Sequence, residues 1–70
     1  MQFLLEDKAT HKLTPIEVRT GSNTAISQAM KSFDETYHDR VEHYMILNES
    51  EAWQKDLNGK AVIILPHVAI

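Results

Sequence analysis

The first part of the chain contains two short runs of apolar residues with a polar segment between them. The run Gln2 to Glu6 is short and mostly apolar, as in a β-strand. In the second run, apolar and charged residues alternate, with Ile16 and Val18 on one side of an extended chain and Glu17 and Arg19 on the other. This alternation is typical of a half-buried strand, so we expect the charged side to face solvent.

The two runs together predict an antiparallel hairpin. The polar segment between them favours a loop around Asp7 to His11. Pro15 lies inside the second run and has no backbone N–H to donate to a sheet. We therefore expect Pro15 at a strand start, at a bulge or at an unpaired position of the strand.

A long amphipathic helix is predicted in the middle of the chain. Its apolar residues recur at helical spacing and form one stripe, Ile26, Ala29, Met30, Phe33 and Tyr37. The polar residues that mostly occupy the opposite side are Ser27, Gln28, Lys31, Asp34 and Glu35. Before the helix, one of Ser22, Asn23 or Thr24 is expected to cap the N-terminus.

Two further strands are predicted in the last part of the chain. The segment Val41 to Asn48 is rich in residues that favour strands. The polar segment after it predicts one helical turn around Glu49 to Lys55. Asn58-Gly59 is a turn signal, and the continuous apolar run Ala61 to Leu65 suits a strand buried on both faces.

The predicted order is therefore strand, strand, helix, strand, strand. A strand that is followed by a helix and then a strand forms a parallel pair through a right-handed crossover. The fold class is α+β, a small mixed sheet with one long helix on one face. A single helix covers only one face, so we expect self-association or packing against a neighbouring domain to cover the other.

Size and composition indicate one small domain, residues 1–70, without disulfides. The 70 residues include no cysteine, and 43% of them are hydrophobic, a normal share for a folded chain. No apolar run approaches the roughly 18 residues of a membrane helix and no basic leader is present, so we expect a cytoplasmic protein that does not bind membranes. The net charge is −3 without a cluster of lysine or arginine, and any binding to nucleic acid is therefore expected to be weak.

Glu17 and Arg19 are the candidate catalytic residues. An acidic residue and a cation two positions apart share one face of a strand. Metal-dependent nucleases use such a pair, because Mg²⁺ needs hard oxygen ligands and a cation steadies the attacking water. Glu17 is then the candidate metal ligand. The alternative is a solvated strand face with an ordinary Glu–Arg pair, and the two-residue pattern alone favours this alternative.

The other polar residues give weaker signals. The four histidines are scattered without the spacing of metal ligands, and the two isolated glycines exclude a phosphate-binding P-loop. Asp34, Glu35 and Asp39 are interpreted as the exposed side and end of the helix rather than as a metal cluster. These patterns predict no cofactor, apart from Mg²⁺ if the Glu17 site is active.

Several segments of the chain resemble a known family. In chain order they are Phe3-Leu4-Leu5-Glu6, Pro15-Ile16-Glu17-Val18, Gly21, Lys31-Ser32-Phe33 and Leu65 to Ile70. Their order and spacing resemble the C-terminal domain of bacterial and archaeal AAA-type ATPases of unknown function, a domain similar to the PD-(D/E)xK nucleases. The resemblance extends over nearly the whole chain and implies a minimal restriction-endonuclease-like core.

The site departs from the pattern of that family at two positions. The metal-binding aspartate of the family corresponds to Gln2, whose neutral amide is a weaker ligand than a carboxylate. The lysine of the family corresponds to Arg19, which keeps the charge but differs in shape and hydration. Only Glu17 is retained, and a single carboxylate does not hold Mg²⁺ in a productive geometry.

These departures favour a non-catalytic nuclease-like domain that acts as an interaction or self-association module, as a homodimer or with a missing partner domain. One alternative is a Mg²⁺-dependent nuclease in which Glu17 is the first metal ligand. In that case Glu6 or a carboxylate of a partner chain is the second ligand, and Arg19 stabilises the transition state. The other alternative is that the chain is a fragment of a longer ATPase.

Overall fold

A mixed sheet of five strands carries one helix on one face. The computed structural model describes residues 3–67. In chain order the elements are β1 (Phe3–Glu6), β2 (Leu13–Val18), α1 (Gln28–Tyr37), a 3-10 turn (His38–Arg40), β3 (Tyr44–Asn48), β4 (Trp53–Leu57) and β5 (Lys60–Pro66). The strands lie side by side in the order β1-β2-β3-β5-β4. The predicted fold class, α+β with a small mixed sheet and one helix, is confirmed.

The predicted hairpin and the predicted parallel pair are both present. β1 and β2 are antiparallel, and the loop between them begins at Asp7, whose carboxylate accepts the backbone N–H groups of Ala9 and Thr10. β2 and β3 are parallel and α1 is the crossover between them. β5 lies parallel to β3 and antiparallel to the edge strand β4.

Pro15 occupies the interior of β2, at a position where the sheet tolerates a missing N–H. On one side it lies opposite Leu4 of β1. On the other side it falls between a bridge from Leu13 to Val41 and the ladder that begins at Ile16 and Met45. From the first pair to the second, β2 advances three residues, from Leu13 to Ile16, whereas the segment opposite advances four, from Val41 to Met45. The extra residue of the opposite segment interrupts the regular pairing in the manner of a β-bulge. The expectation of an unpaired position for Pro15 therefore holds on the side of β3, whereas on the side of β1 Pro15 is paired with Leu4.

The helical turn predicted around Glu49 to Lys55 is wrong, because this segment is a bend followed by β4. The side chain of Asn48 accepts the backbone N–H groups of Ser50 and Glu51, which turns the chain at the end of β3. Asn58 and Gly59 then adopt φ angles of 52° and 89°. Two consecutive positive φ angles are typical of a tight hairpin turn, and this turn returns β5 alongside β4.

The helix begins later than the predicted caps. Ser27 is the N-cap of α1, since its hydroxyl accepts the backbone N–H of Met30 at 3.1 Å. Ser22, Asn23 and Thr24 lie in the loop before the helix. α1 has 10 residues, and no helix of the described residues 3–67 is long and apolar enough to cross a membrane.

The core lies between α1 and the sheet. Its buried residues are Met30, Val41, Tyr44, Ile46, Leu57, Val62 and Ile64, with Ile26 and Phe33 packed against them. The side of β2 that faces this core is the opposite of the predicted one. Glu17 is buried there beside Ile46, whereas Val18 points away from the helix and is 37% exposed. The alternation of β2 was correct, but the crossover helix covers its charged side.

Candidate functional site

Both oxygens of the Glu17 carboxylate accept hydrogen bonds inside the chain. Oε1 accepts a hydrogen bond from Nη2 of Arg19 at 2.6 Å, and Oε2 accepts one from the hydroxyl of Ser27 at 2.7 Å. Only 8% of Glu17 is exposed. Because Ser27 is also the cap of α1, the carboxylate connects β2 to the beginning of the helix. The predicted solvated strand face is therefore wrong, and the Glu17–Arg19 pair lies largely inside the protein.

Hydrogen bonds from Arg19 stabilise the loop between β2 and α1. Besides its bond to Glu17, its guanidinium donates to the side-chain oxygen of Asn23 at 3.3 Å and to the backbone carbonyl of Ala25. The backbone N–H of Arg19 donates to the carbonyl of Leu47 in β3. The planar guanidinium can make several bonds in fixed directions, which suits an arginine better than a lysine at this position.

The surroundings of Glu17 keep it ionised. Burial by itself raises the pKa of a carboxyl group, because it removes water from the charged form. At Glu17 the hydrogen bonds from Arg19 and Ser27 and the charge of Arg19 outweigh this effect, so the pKa of Glu17 lies below its ordinary value. The result is a charged carboxylate whose charge is balanced within the fold.

The residues proposed as partners of Glu17 in a metal site are not brought beside it. Glu6 lies opposite Leu13 in the hairpin, four residues along β2 from Glu17, and this spacing corresponds to about 13 Å. The carboxylate of Glu6 contacts His11 and Arg40, each at 3.3 Å. Gln2 lies outside the described residues. Within residues 3–67, no group of three or more His, Cys, Asp or Glu side chains is arranged to hold a metal ion.

A second buried carboxylate lies toward the other end of α1. Asp34 is 2% exposed and accepts hydrogen bonds from three side chains. The Tyr44 hydroxyl donates at 2.7 Å, the Asn58 amide at 2.9 Å and Nδ1 of His38 lies at 3.0 Å. Burial opposes ionisation, but these bonds and the charge of His38 lower the pKa of Asp34 below its ordinary value. Burial raises the pKa of Tyr44, and the hydrogen bond to the Asp34 carboxylate and the charge of that carboxylate raise it further.

The predicted exposure of Asp34 is wrong, whereas Glu35 and Asp39 are exposed as expected. Asp34 follows Met30 by four residues and therefore lies one turn away on the face of α1 that packs on the sheet. The sequence signal for this burial is the spacing of Met30, Asp34 and His38. These residues lie one helical turn apart on the same side, so the Asp34 carboxylate falls between an apolar side chain and a hydrogen-bond donor. Asp34 thereby acts as an anchor that joins α1, β3 and the turn after β4.

Acid is expected to weaken the fold through these two carboxylates. The folded protein holds their pKa values below the ordinary 4.5 of Glu17 and 3.8 of Asp34, so the unfolded chain binds more protons at acidic pH. Their contribution is present above those ordinary values and is lost as the pH falls through the lower values of the folded state. Urea unfolding followed between about pH 7 and pH 2.5 measures this loss.

A double variant provides the control for the acid effect. In Glu17→Gln with Asp34→Asn, the free energy of unfolding is expected to be lower at neutral pH and to change less with acidification than in the wild type. An identical pH dependence in the two proteins would contradict the lowered pKa values of Glu17 and Asp34.

Comparison of the chain with protein-family models, with curated proteins and with solved structures finds no match.

Proposed function

We propose that this chain is a non-catalytic, nuclease-like domain that acts through contact with another protein chain. The non-catalytic assignment rests on the hydrogen bonding of the Glu17 carboxylate. A metal ligand needs carboxylate oxygens directed at an accessible site, yet both oxygens of Glu17 already accept bonds from Arg19 and Ser27. The pair that the resemblance associates with catalysis is used here to hold the helix against the sheet.

The contacts of Arg19 support the same proposal. In a nuclease, the corresponding cation must face the attacking water or the charge that develops on the phosphate. The Arg19 guanidinium instead donates to Glu17, Asn23 and Ala25, and its side chain is only 13% exposed. Moving it toward a substrate would break all three contacts and release the loop before α1.

The charge of the chain favours a protein partner over nucleic acid. Seven lysine and arginine residues are outnumbered by ten aspartate and glutamate residues. Of the seven, Arg19 and Arg40 bond to carboxylates, which further reduces the charge available for phosphates. Binding to nucleic acid draws most of its free energy from phosphate neutralisation, and an acidic chain of this size supplies little positive charge for it.

A cleavage assay tests the proposal. We expect the wild-type protein to leave supercoiled plasmid and single-stranded DNA intact in the presence of Mg²⁺ or Mn²⁺, because both oxygens of Glu17 accept internal hydrogen bonds and residues 3–67 contain no acidic cluster arranged to hold a metal ion. The readout is gel electrophoresis after prolonged incubation, with EDTA as the blank.

Two variants make the result of the assay decisive. Glu17→Gln removes the candidate ligand, and Glu35→Gln makes the same chemical change at an exposed residue of α1. Metal-dependent cleavage by the wild type and by Glu35→Gln that disappears in Glu17→Gln would refute the non-catalytic assignment. It would establish the nuclease alternative, with Glu17 as a metal ligand.

A further inference from the structure

The side of the sheet that faces away from α1 forms a continuous apolar surface, which we name the open face. Strand alternation and the pairing register place twelve residues on it, Phe3, Leu5, Thr14, Ile16, Val18, Met45, Leu47, Gln54, Asp56, Ala61, Ile63 and Leu65. Nine of the twelve are apolar, and all five strands contribute to the set. Within residues 3–67, the only α-helix is α1, and it packs on the opposite side.

This surface does not have the composition of a sheet face that normally meets water. In a sheet covered on one side, the exposed side usually carries polar residues. Here Asp56, near the edge formed by β4, is the only charged member of the open face. Phe3 and Leu5 are each 57% exposed, and the apolar residues of the central strands are half-buried.

The size of the open face can be compared with the area that a stable dimer buries. The two longer dimensions of the chain, 30 and 24 Å, bound the sheet. A face within these bounds offers at most about 700 Å², close to the roughly 800 Å² per partner of a standard interface.

We propose that the open face binds a second copy of this chain, so that two sheets pack face to face between two outer helices. This inference rests on the proposed function, since it names the protein partner. A second copy fits because twofold packing requires only that one flat surface complement itself. With a single charged residue, the face also offers few charges or hydrogen-bonding groups that would select a different partner.

The strand order favours one arrangement of the two copies. β3 is the central strand, so a twofold axis along β3 and between the sheets places β1 of one copy over β4 of the other. The edge with the bulky Phe3 and Leu5 then meets the edge with the polar Gln54 and Asp56, and the two Asp56 carboxylates stay apart at the rim. Sheets stacked in this way lie about 10 Å apart with strands about 30° from parallel.

The mass of the wild-type protein in solution is the first test. Size-exclusion chromatography with light scattering at about 100 µM should give twice the chain mass of 8.0 kDa, because interfaces of this size reach at least micromolar affinity. A wild-type protein that stays monomeric at this concentration overturns the dimer. That outcome leaves the non-catalytic assignment intact, since the cleavage assay decides it separately.

Adjacent leucines of β1 provide a matched pair of variants. Leu5 lies on the open face and Leu4 on the helix side, with 57% and 51% exposure. Leu5→Lys should raise the dissociation constant of the dimer by about tenfold or more, because it places a charge in the interface, and Leu4→Lys should change it by less than about threefold. Equal effects of the two changes, or none from Leu5→Lys, would overturn the assignment of the open face.

A change at the centre of the open face should have the largest effect on assembly. Leu47→Lys is expected to give a monomer at about 100 µM, because its charge would be buried near the twofold axis. Circular dichroism reports whether the variant folds. A folded Leu47→Lys protein that remains dimeric would also overturn the proposal, and if it does not fold, the Leu4 and Leu5 pair still decides.

Discussion

Replacing Asp34 by alanine is expected to lower the free energy of unfolding by about 3 kcal/mol, enough to lower the melting temperature of a domain of this size by about 12–24 °C. The change leaves the Tyr44 hydroxyl and the Asn58 amide without the acceptor that now binds both. Tyr44 is completely buried, so water does not replace the lost partner of its hydroxyl. Urea denaturation at neutral pH measures the effect.

Asp39→Ala is the control for this experiment, because Asp39 is an exposed aspartate just beyond α1. Its removal is expected to change stability by less than about 0.5 kcal/mol. Combining Asp34→Ala with Tyr44→Phe then isolates the contact between the two side chains. The losses of the two single variants should not add, since each already removes the same hydrogen bond. Additive losses would show that Asp34 stabilises the fold without Tyr44.

Replacing Arg19 by methionine is expected to cost about 3 kcal/mol, because it leaves the ionised Glu17 carboxylate in a largely buried site without its positive partner. The bonds to Asn23 and Ala25 are lost as well, which frees the loop before α1. The deficit should shrink when the pH is lowered enough to protonate Glu17, since a neutral carboxyl group needs no cation. Unfolding at neutral and acidic pH measures both effects.

Arg40→Met is the matched control for Arg19→Met. Arg40 contacts Glu6 at 3.3 Å, but the two side chains are 51% and 47% exposed. An exposed ion pair contributes about 0–1 kcal/mol, so this variant should remain close to the wild type in stability. If Arg19→Met proved no more harmful than Arg40→Met, the Glu17–Arg19 pair would not be the structural anchor that its geometry indicates.

Two buried carboxylates thus hold α1 to the sheet. Glu17, on β2, binds the cap residue Ser27 at the start of the helix, and Asp34, on the helix, binds Tyr44 of β3. A short helix gains little stability on its own, so its position depends on such tertiary contacts. The arrangement gives Glu17 a role in folding that does not depend on any reaction.

Much of the fold is predictable from local patterns. The alternation in β2 and the apolar run in β5 identify strands, and the helical spacing of Met30 and Phe33 identifies α1. β4 is different, because its residues, Trp53 to Leu57, are mostly polar and exposed. It becomes a strand through the turn at Asn58-Gly59, which lays it against β5, and no property of its own residues indicates that pairing.

The candidate site is only partly predictable, because its burial also depends on residues far apart in the chain. A spacing of two residues predicts that Glu17 and Arg19, just after β2, lie on the same side of the chain, and their hydrogen bond confirms this. The spacing does not say which face the helix covers. That choice depends on the path of the crossover from β2 through α1 to β3, which involves residues far apart in the chain.

The sequence by itself determined the order and type of most elements, the hairpin, the parallel pair and the side-by-side placement of Glu17 and Arg19, because each follows from local residue patterns or from the rule for strand–helix–strand crossovers. Only the tertiary structure decided that Glu17 and Asp34 are buried and that α1 packs on the charged side of β2. Burial is a property of the whole assembly of elements. The packing of one helix on one face of the sheet turns a pattern that resembles a nuclease site into a structural anchor, and it leaves the open face available for a second copy.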